Sequence, residues 1–465
     1  MRKLNIIYIS IILVLFFFGY YFFRLDDTFI FYKYAKNIAE GNGYVFNIGE
    51  KVNATTSPLY TIILAFIYLI TKSFFADSFV IMGNLISIAS IILILYSIKN
   101  IFNDREKFYW FAFVFLAMPL LKFGFGMETY LNLAIIVFSV FLYTKEKYLL
   151  SAIFIALSIL ARFDSILFAG IIFLHYIIKK KKFPPLPGII IFVVIVSAWF
   201  IFSKLYFDSC LPTTIGAKLS QSDLGLFGSG LIFLTNSTRV IPGGYLTVSA
   251  ILVMVFFSSI YIYLKRINIF ENDGLFILIV WSVSLFITYA FIINAPPYQW
   301  YYTPFAISVA ILSAISLSHL IKNIKWQKII FALLFITACV LPVKNLIQGY
   351  NPKYKNFIRV AEWLNKNAPD GSLLAVDDIG ILGFYYNKGK LIDALGLINP
   401  EVAKHLSQKD FDWFLTYFKP EFIAHEYPKI QLHLRGNEKI FWQNYKAIKI
   451  FESRGEKIAI YQRHH

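Results

Sequence analysis

RLDDTFIFYKYAKNIAEGNGYVFNIGEKVNATTSP, residues Arg24 to Pro58, decides how this chain is read. It follows an apolar run, Leu4 to Phe23, of the ~20 residues that an α-helix needs to cross a bilayer. Arg2 and Lys3 stay on the cytoplasmic side by the positive-inside rule, so the stretch after the run faces outward. A signal peptide would need a small-residue cleavage site before Arg24, where bulky residues stand instead, so the run is a retained first transmembrane helix. Asp26 and Asp27 then sit side by side at its foot. Thr28 to Glu40 places Ile30, Tyr34 and Ile38 on one stripe and Lys33, Lys36, Asn37 and Glu40 elsewhere. That spacing predicts an amphipathic helix along the membrane surface, closed by Gly41. Ser57 and Pro58 read as the N-cap and first-turn residues of the next helix.

The rest of the chain fits this start. Hydrophobic residues make up 58% and aromatic residues 19%, while only 15% are charged, against roughly 25% in soluble domains. After the first, apolar blocks recur at 59–70, 79–98, 108–121, 131–143, 148–161, 166–178, 188–206, 245–264, 274–293, 304–320 and 329–341. The Lys and Arg residues behind the net charge of +17 cluster in short connectors at 144–147, 179–182, 265–266 and 322–328. They mark cytoplasmic loops rather than a nucleic-acid surface. Counted backwards, these loops leave 122–129, 162–164, 207–244 and 294–304 outside, on the face of the Asp26 loop. Counted forwards they conflict by one crossing between residues 58 and 121, and an inside start with an outside end requires an odd number. The expected fold is therefore mainly α: a polytopic transmembrane bundle of 11 or 13 crossings over 1–343, its loop at 24–57 carrying the chemistry. A small extracytoplasmic α/β domain follows over 344–465. Within it, a helix at 357–366, strands at 373–376 and 422–425, a helical stretch at 409–417 and a hairpin at 447–462 are expected. Cys210 and Cys339 have no metal-ligand spacing and read as packing residues.

Chemistry gathers at the outer face. A carboxylate at the membrane surface can accept the proton of an acceptor hydroxyl, and a neighbouring carboxylate raises its affinity for that proton. The plain alternative for Asp26 or Asp27 is helix capping, and Asp27 is the better placed to cap a helix beginning at Thr28. Arg162 and Lys218, near external helix ends, are cations suited to a phosphate, or else charges reaching for water. Glu128 sits in an uncharged stretch, where it positions an acceptor or joins a metal with the aspartates. Tyr298, Trp300 and Tyr301 form with Tyr302 an aromatic cluster that reads as an interfacial belt or a sugar- and lipid-gripping surface. Asp377, Asp378 and Asp393 fit ordinary turn chemistry and read as structural or acceptor-facing rather than catalytic, and His175 and His319 read as structural.

The run from Leu25 to Tyr60 resembles the first external loop of the GT-C superfamily of polytopic glycosyltransferases. More narrowly, it is similar to the bacterial group that includes the actinobacterial terminal arabinofuranosyltransferases. The likeness continues in GMET (Gly126 to Thr129), ARFD (Ala161 to Asp164), LYFDSCLPTTIGAK (Leu205 to Lys218) and VDDIGILGFYYNKGKLIDALGLINP (Val376 to Pro400). It departs where Thr213 replaces the group's Asn, where ARFD lacks a proline after Arg162, and where Lys33 replaces an Arg. The resemblance implies transfer of a hexosyl or pentosyl unit from a polyprenyl-phosphate donor to a glycan, lipid or protein acceptor, with inversion. Asp26 would be the base, and Asp27 would orient the acceptor or substitute for it. It implies a multi-pass protein of the prokaryotic plasma membrane, active on the extracytoplasmic face, in contact with membrane lipid and with no nucleic-acid partner. No cofactor is required, and a divalent metal is left open.

A transporter or flippase of lipid-linked sugars is the main rival. Such proteins carry charged or broken segments at mid-membrane and repeated halves, whereas these apolar blocks hold few charges. A receptor or assembly subunit that keeps the fold without activity stays open.

Overall fold

The structure is a computed structural model and describes residues 2–71, 78–224, 233, 244–268, 271–293, 296–428 and 438–464. In chain order the helices are α1 (Arg2–Tyr21), α2 (Asp26–Ala39), α3 (Pro58–Thr71), α4 (Ser78–Phe102), α5 (Arg105–Ala117), α6 (Thr129–Thr144), α7 (Tyr148–Ala161), α8 (Ile166–Lys180), α9 (Leu186–Phe207), α10 (Thr213–Asp223), α11 (Gly244–Leu264), α12 (Asp273–Ile287), α13 (Phe305–Leu320) and α14 (Ile324–Gln348). A mixed domain follows: α15 (Pro352–Asn367), β1 (Ser372–Val376), α16 (Ile379–Tyr385), β2 (Gly389–Asp393), α17 (Pro400–Ser407), α18 (Trp413–Tyr417), β3 (Phe422–Glu426), α19 (Glu438–Asn444), β4 (Tyr445–Ser453) and β5 (Glu456–Arg463). The protein is thus mainly helical with a small C-terminal sheet. Among the described residues, six helices are long and apolar enough to cross a membrane, and Pro58–Thr71, Thr129–Thr144, Tyr148–Ala161 and Ile251–Leu264 are shorter apolar helices. In the stretch where the loop charges conflict, α3 and α5 have only 14 and 13 residues.

The chain divides into two compact units. The first holds the described residues of Met1–Phe22, Val80–Trp199 and Gly230–Ile347. Its helices meet where large side chains face small ones. Trp110, Phe111, Phe113 and Phe115 of α5 are buried, and α5 packs on α13, whose buried face is rich in Ala306, Ser308, Ala310, Ser313 and Ala314. Small residues let helix backbones approach closely in a lipid setting. Gly19 of α1 shows the same logic, since a Cβ there would lie 2.4 Å from the Pro342 ring of α14.

The second unit holds the described residues of Phe23–Phe79, Phe200–Ser229 and Gln348–His465. In sequence its last segment begins close to the expected boundary at 343/344, but in space it also takes in the loop after α1 and α10. Its sheet has the order β2-β1-β3-β5-β4. β1 pairs in parallel with β2 and β3, and β5 pairs antiparallel with β3 and β4, with an irregularity between Ala447 and Lys449. Strands buried on both faces read as short continuous apolar runs, and SLLAV in β1 and FIA in β3 are of that kind. The expected strands and hairpin are present. β2 was not expected, because Gly389 and Lys390 mask its short apolar half. The helical stretch expected at 409–417 is shorter: Lys409 takes φ +64°, which ends that turn, and helix resumes only at Trp413. Cys210, expected to pack, is exposed.

Candidate functional site

In the second unit, α2 begins two residues earlier than its sequence suggests. Asp26 and Asp27 both lie in its first turn, and Leu25 is the N-cap residue, without a side-chain cap. Capping of α2 by Asp27 is therefore not what the structure shows; the Thr28 hydroxyl donates to the Leu25 carbonyl instead, at 2.7 Å. The apolar face is also broader than one stripe. Thr28 to Tyr32, Tyr34, Ala35 and Asn37 are all buried, because α2 packs against both α3 and α16.

The loop beyond α2 is folded back by polar side chains. Asn37 Nδ2 donates to the carbonyls of Val45 and Phe46 at 2.8 and 2.9 Å, and the Tyr34 hydroxyl donates to the Val52 carbonyl at 2.6 Å. Gly43 has φ +89°, and a Cβ there would lie 2.5 Å from the Tyr206 hydroxyl. Asn47 lies along the edge of β2: its Nδ2 donates to the Leu391 carbonyl at 2.9 Å and its Oδ1 accepts from the Leu391 N–H at 3.0 Å.

Asp26 is held more tightly still. Its Oδ2 accepts the N–H of Gly380 at 2.7 Å and its Oδ1 the N–H of Ile381 at 2.8 Å. A Cβ on Gly380 would lie 1.8 Å from the Asp26 carbonyl oxygen, so only glycine permits this approach. Desolvation, then the nearby Asp378 carboxylate, push the proton affinity of Asp26 well above the ordinary carboxylate range. The N–H of Ile381 opposes the rise, Asp27 adds to it and the N–H of Gly380 opposes it again.

Around Asp378 stands a frame of charges. Lys353 Nζ lies 2.5 Å from Asp378 Oδ2 and 3.2 Å from Glu426 Oε1, while His425 Nε2 lies 3.1 Å from Asp377 Oδ2. Burial disfavours the charged form of His425, but the hydrogen bond and charge of Asp377 outweigh it and raise the imidazole's proton affinity. Asp393 is buried and accepts the N–H groups of Leu395, Leu397 and Ile398, the turn role expected of it. Lys218 is half-buried on α10, whose start is fastened by Thr213: its hydroxyl donates to the Leu397 carbonyl at 2.6 Å and to the Asn53 carbonyl at 3.1 Å.

In the first unit, Arg162 ends α7 and is surrounded by acceptors. Its Nη1 donates to Glu128 Oε1 at 2.7 Å, its Nη2 to Asp164 Oδ2 at 2.6 Å and to the Tyr289 hydroxyl at 3.0 Å, and its Nε to Asp164 at 3.1 Å. The Tyr289 hydroxyl in turn donates to Asp164. Tyr301 stacks on Tyr289 with ring centroids 4.5 Å apart and lies 5.6 Å from the guanidinium. Tyr298 and Trp300 stack on each other at 5.0 Å. The structure thus brings Arg162, Glu128 and Tyr301 together, and two carboxylates and a phenol accept from the guanidinium.

The sequence shows Asp164 only as the last residue of the ARFD motif. Tyr289 carried no signal, since it owes its position to a π-helical turn, Thr288–Ile292. His175 accepts or donates to the Tyr143 hydroxyl at 2.8 Å and faces Asp273, a structural setting. Among the described residues no group of three or more His, Cys, Asp or Glu is disposed to hold a metal ion.

Residues 345–461 match a family described as a domain of unknown function, DUF8728. No curated protein matches the chain. Among solved structures, it is similar to ArnT from Cupriavidus metallidurans bound to undecaprenyl phosphate, with a TM-score of 0.65 at 11% identity over 99% of this chain and 98% of that one. It is also similar to the oligosaccharyltransferase AglB from Archaeoglobus fulgidus in complex with an inhibitory peptide and a dolichol-phosphate, with a TM-score of 0.53 at 11% identity over 91% of this chain and 69% of that one. The mainly helical fold with a small C-terminal sheet, as expected from the sequence, is the fold observed.

Proposed function

We propose that this protein is a membrane glycosyltransferase of the GT-C type, which moves a sugar from a polyprenyl-phosphate donor to an acceptor hydroxyl at the extracytoplasmic face of a prokaryotic plasma membrane. The carrying observation is the Asp26 carboxylate: fixed in direction by two backbone donors and raised in proton affinity, in a fold shared with a protein solved around a polyprenyl phosphate. A general base works best when its pKa lies near the working pH, and burial next to other carboxylates moves an aspartate that way.

In this reading the acceptor oxygen attacks the anomeric carbon in line and its proton passes to Asp26. The bond from the anomeric carbon to the phosphate oxygen breaks, the polyprenyl phosphate leaves with the electron pair, and the configuration inverts. Asp27 orients the acceptor or serves as base in its place. A lipid phosphate leaves readily without a general acid, so the site needs mainly cations to hold it. Lys218 takes that part. In the first unit, Arg162 is assigned to fixing Glu128 and Asp164, beside the aromatic side chains of Tyr298, Trp300 and Tyr301. No cofactor is invoked. The terminal arabinofuranosyltransferase-like branch, and with it a pentosyl donor and a cell-envelope acceptor, rests on the loop motifs alone.

Purified protein incubated with a panel of polyprenyl-phosphate sugars should consume at least one donor. Equal background consumption by the wild type, Asp26→Asn and Asp27→Asn would sink the reading.

A further inference from the structure

The last segment of the chain does more around α2 than bury apolar surface. Packing is already supplied by Phe29 of α2, whose ring meets those of Tyr354, Phe384 and Tyr385 at 5.6–6.0 Å. Arg24 adds to it, donating to the Tyr350 and Tyr354 hydroxyls and lying 4.6–4.7 Å from both rings. On top of this, two consecutive backbone N–H groups are spent on the two oxygens of one loop carboxylate. The strand β1 leads into them through Asp377 and Asp378, and the Asp378 side chain does not cap α16. Asp378 instead turns to Lys353 on α15, and Asp377 to His425 on β3. The turn that carries the two N–H groups is therefore tied to α15 by an ion pair and to β3 by a hydrogen bond.

We propose that the segment 345–461 acts as a positioning element for the transfer reaction: Gly380 and Ile381 set the direction of the Asp26 carboxylate, and the Lys353–Asp378 pair holds the turn that presents them. This rests on the functional reading above. It gives the segment a task within the reaction that a folding contact alone does not have. Two N–H groups aimed at separate oxygens fix rotation of the carboxyl about its bond to Cβ, and they leave the outer lone pair of each oxygen for an incoming hydroxyl. The raised proton affinity of Asp26 agrees with this arrangement, since Asp378 stands close enough to contribute to it.

The test uses the full-length protein with the donor that it consumes, comparing Lys353→Met, Lys353→Arg, Asp378→Asn and Gly380→Ala. Gly380→Ala can fail by misfolding, so the other three decide. Misplacing a catalytic group can cost about 10²-fold in rate. Lys353→Met and Asp378→Asn are expected to lower kcat roughly 10- to 100-fold with donor and acceptor KM within about twofold, and Lys353→Arg to recover most of the loss. Unchanged kcat in Lys353→Met and Asp378→Asn, or a change confined to KM, overturns the inference and leaves the functional reading standing. If the wild type consumes no donor, the functional reading falls and the positioning role falls with it.

Discussion

The molecule keeps carboxylates in place in two ways, one in each unit. Asp26 is held by neutral donors, the N–H groups of Gly380 and Ile381, with Asp378 and Asp27 nearby. Glu128 and Asp164 are held by a cation, Arg162, with the Tyr289 hydroxyl as a further partner. The two N–H groups fix the geometry of Asp26 and lower its proton affinity, but burial and the neighbouring carboxylates outweigh them and keep it high. A guanidinium cancels charge and favours the ionised form. The first arrangement suits a group that must take up a proton, the second a group that must be held still.

Substitutions in each cluster test this difference. The largest effect is expected at Asp26. Asp26→Asn keeps one acceptor oxygen but cannot take a proton, and donor turnover should fall about 10²- to 10⁴-fold, the usual contribution of a general base. The unfolding midpoint is expected to change far less than the rate. If turnover survives Asp26→Asn and is lost in Asp27→Asn, the proton goes to the second aspartate and the comparison must be redrawn around it.

At the other cluster the order of effects should reverse, stability suffering before chemistry. Arg162→Met leaves the buried Glu128 and the half-buried Asp164 without their cation. Breaking a buried ion pair from one side costs about 3–5 kcal/mol, measured as a lowered denaturation midpoint in detergent. A variant with full stability and lost turnover would instead make Arg162 a substrate ligand. A smaller loss is expected at Asn47→Ala. It removes both bonds to Leu391, and leaving buried backbone groups unsatisfied costs about 1–3 kcal/mol, which should appear as faster hydrogen exchange at the Leu391 amide.

The smallest effect concerns pH. The proton affinity of His425 is raised in the folded protein, because Asp377 outweighs burial. The pair's contribution is therefore complete at low pH, below the ordinary histidine pKa of about 6.5, and is lost as pH rises through the folded value. Protection of β3 amides should decline over that window in the wild type and stay flat in His425→Gln.

The helical membrane fold was legible because it needs little: apolar blocks of the right length and basic connectors between them. Helix ends were legible to within a few residues, as α7 from Tyr148 to Ala161 illustrates. The loop carboxylates stood out because two adjacent charges at the end of an apolar helix are costly without a purpose. The partners were hidden, since contacts across hundreds of residues leave no local pattern. Gly380 looked like an ordinary turn glycine, and only the close approach of Asp26 shows why no side chain can stand there. Arg162 looked like a spare cation because Glu128 lies 34 residues away and Tyr289 sits on an irregular turn. Crossing number is a harder quantity. α3 and α5 fall short of a comfortable span, and helices of that length obey packing as much as the membrane.

Asn47 lies along β2, and β2 is one border of the five-stranded sheet. An open border offers backbone donors and acceptors to any passing strand, and here part of it is closed by an amide from a loop more than three hundred residues upstream. The segment 345–461 is therefore a poor candidate for transplantation. Cut from the chain, it would leave Leu391 unsatisfied and its neighbours ready to pair with another copy, so that self-association would begin at the place where the loop used to lie.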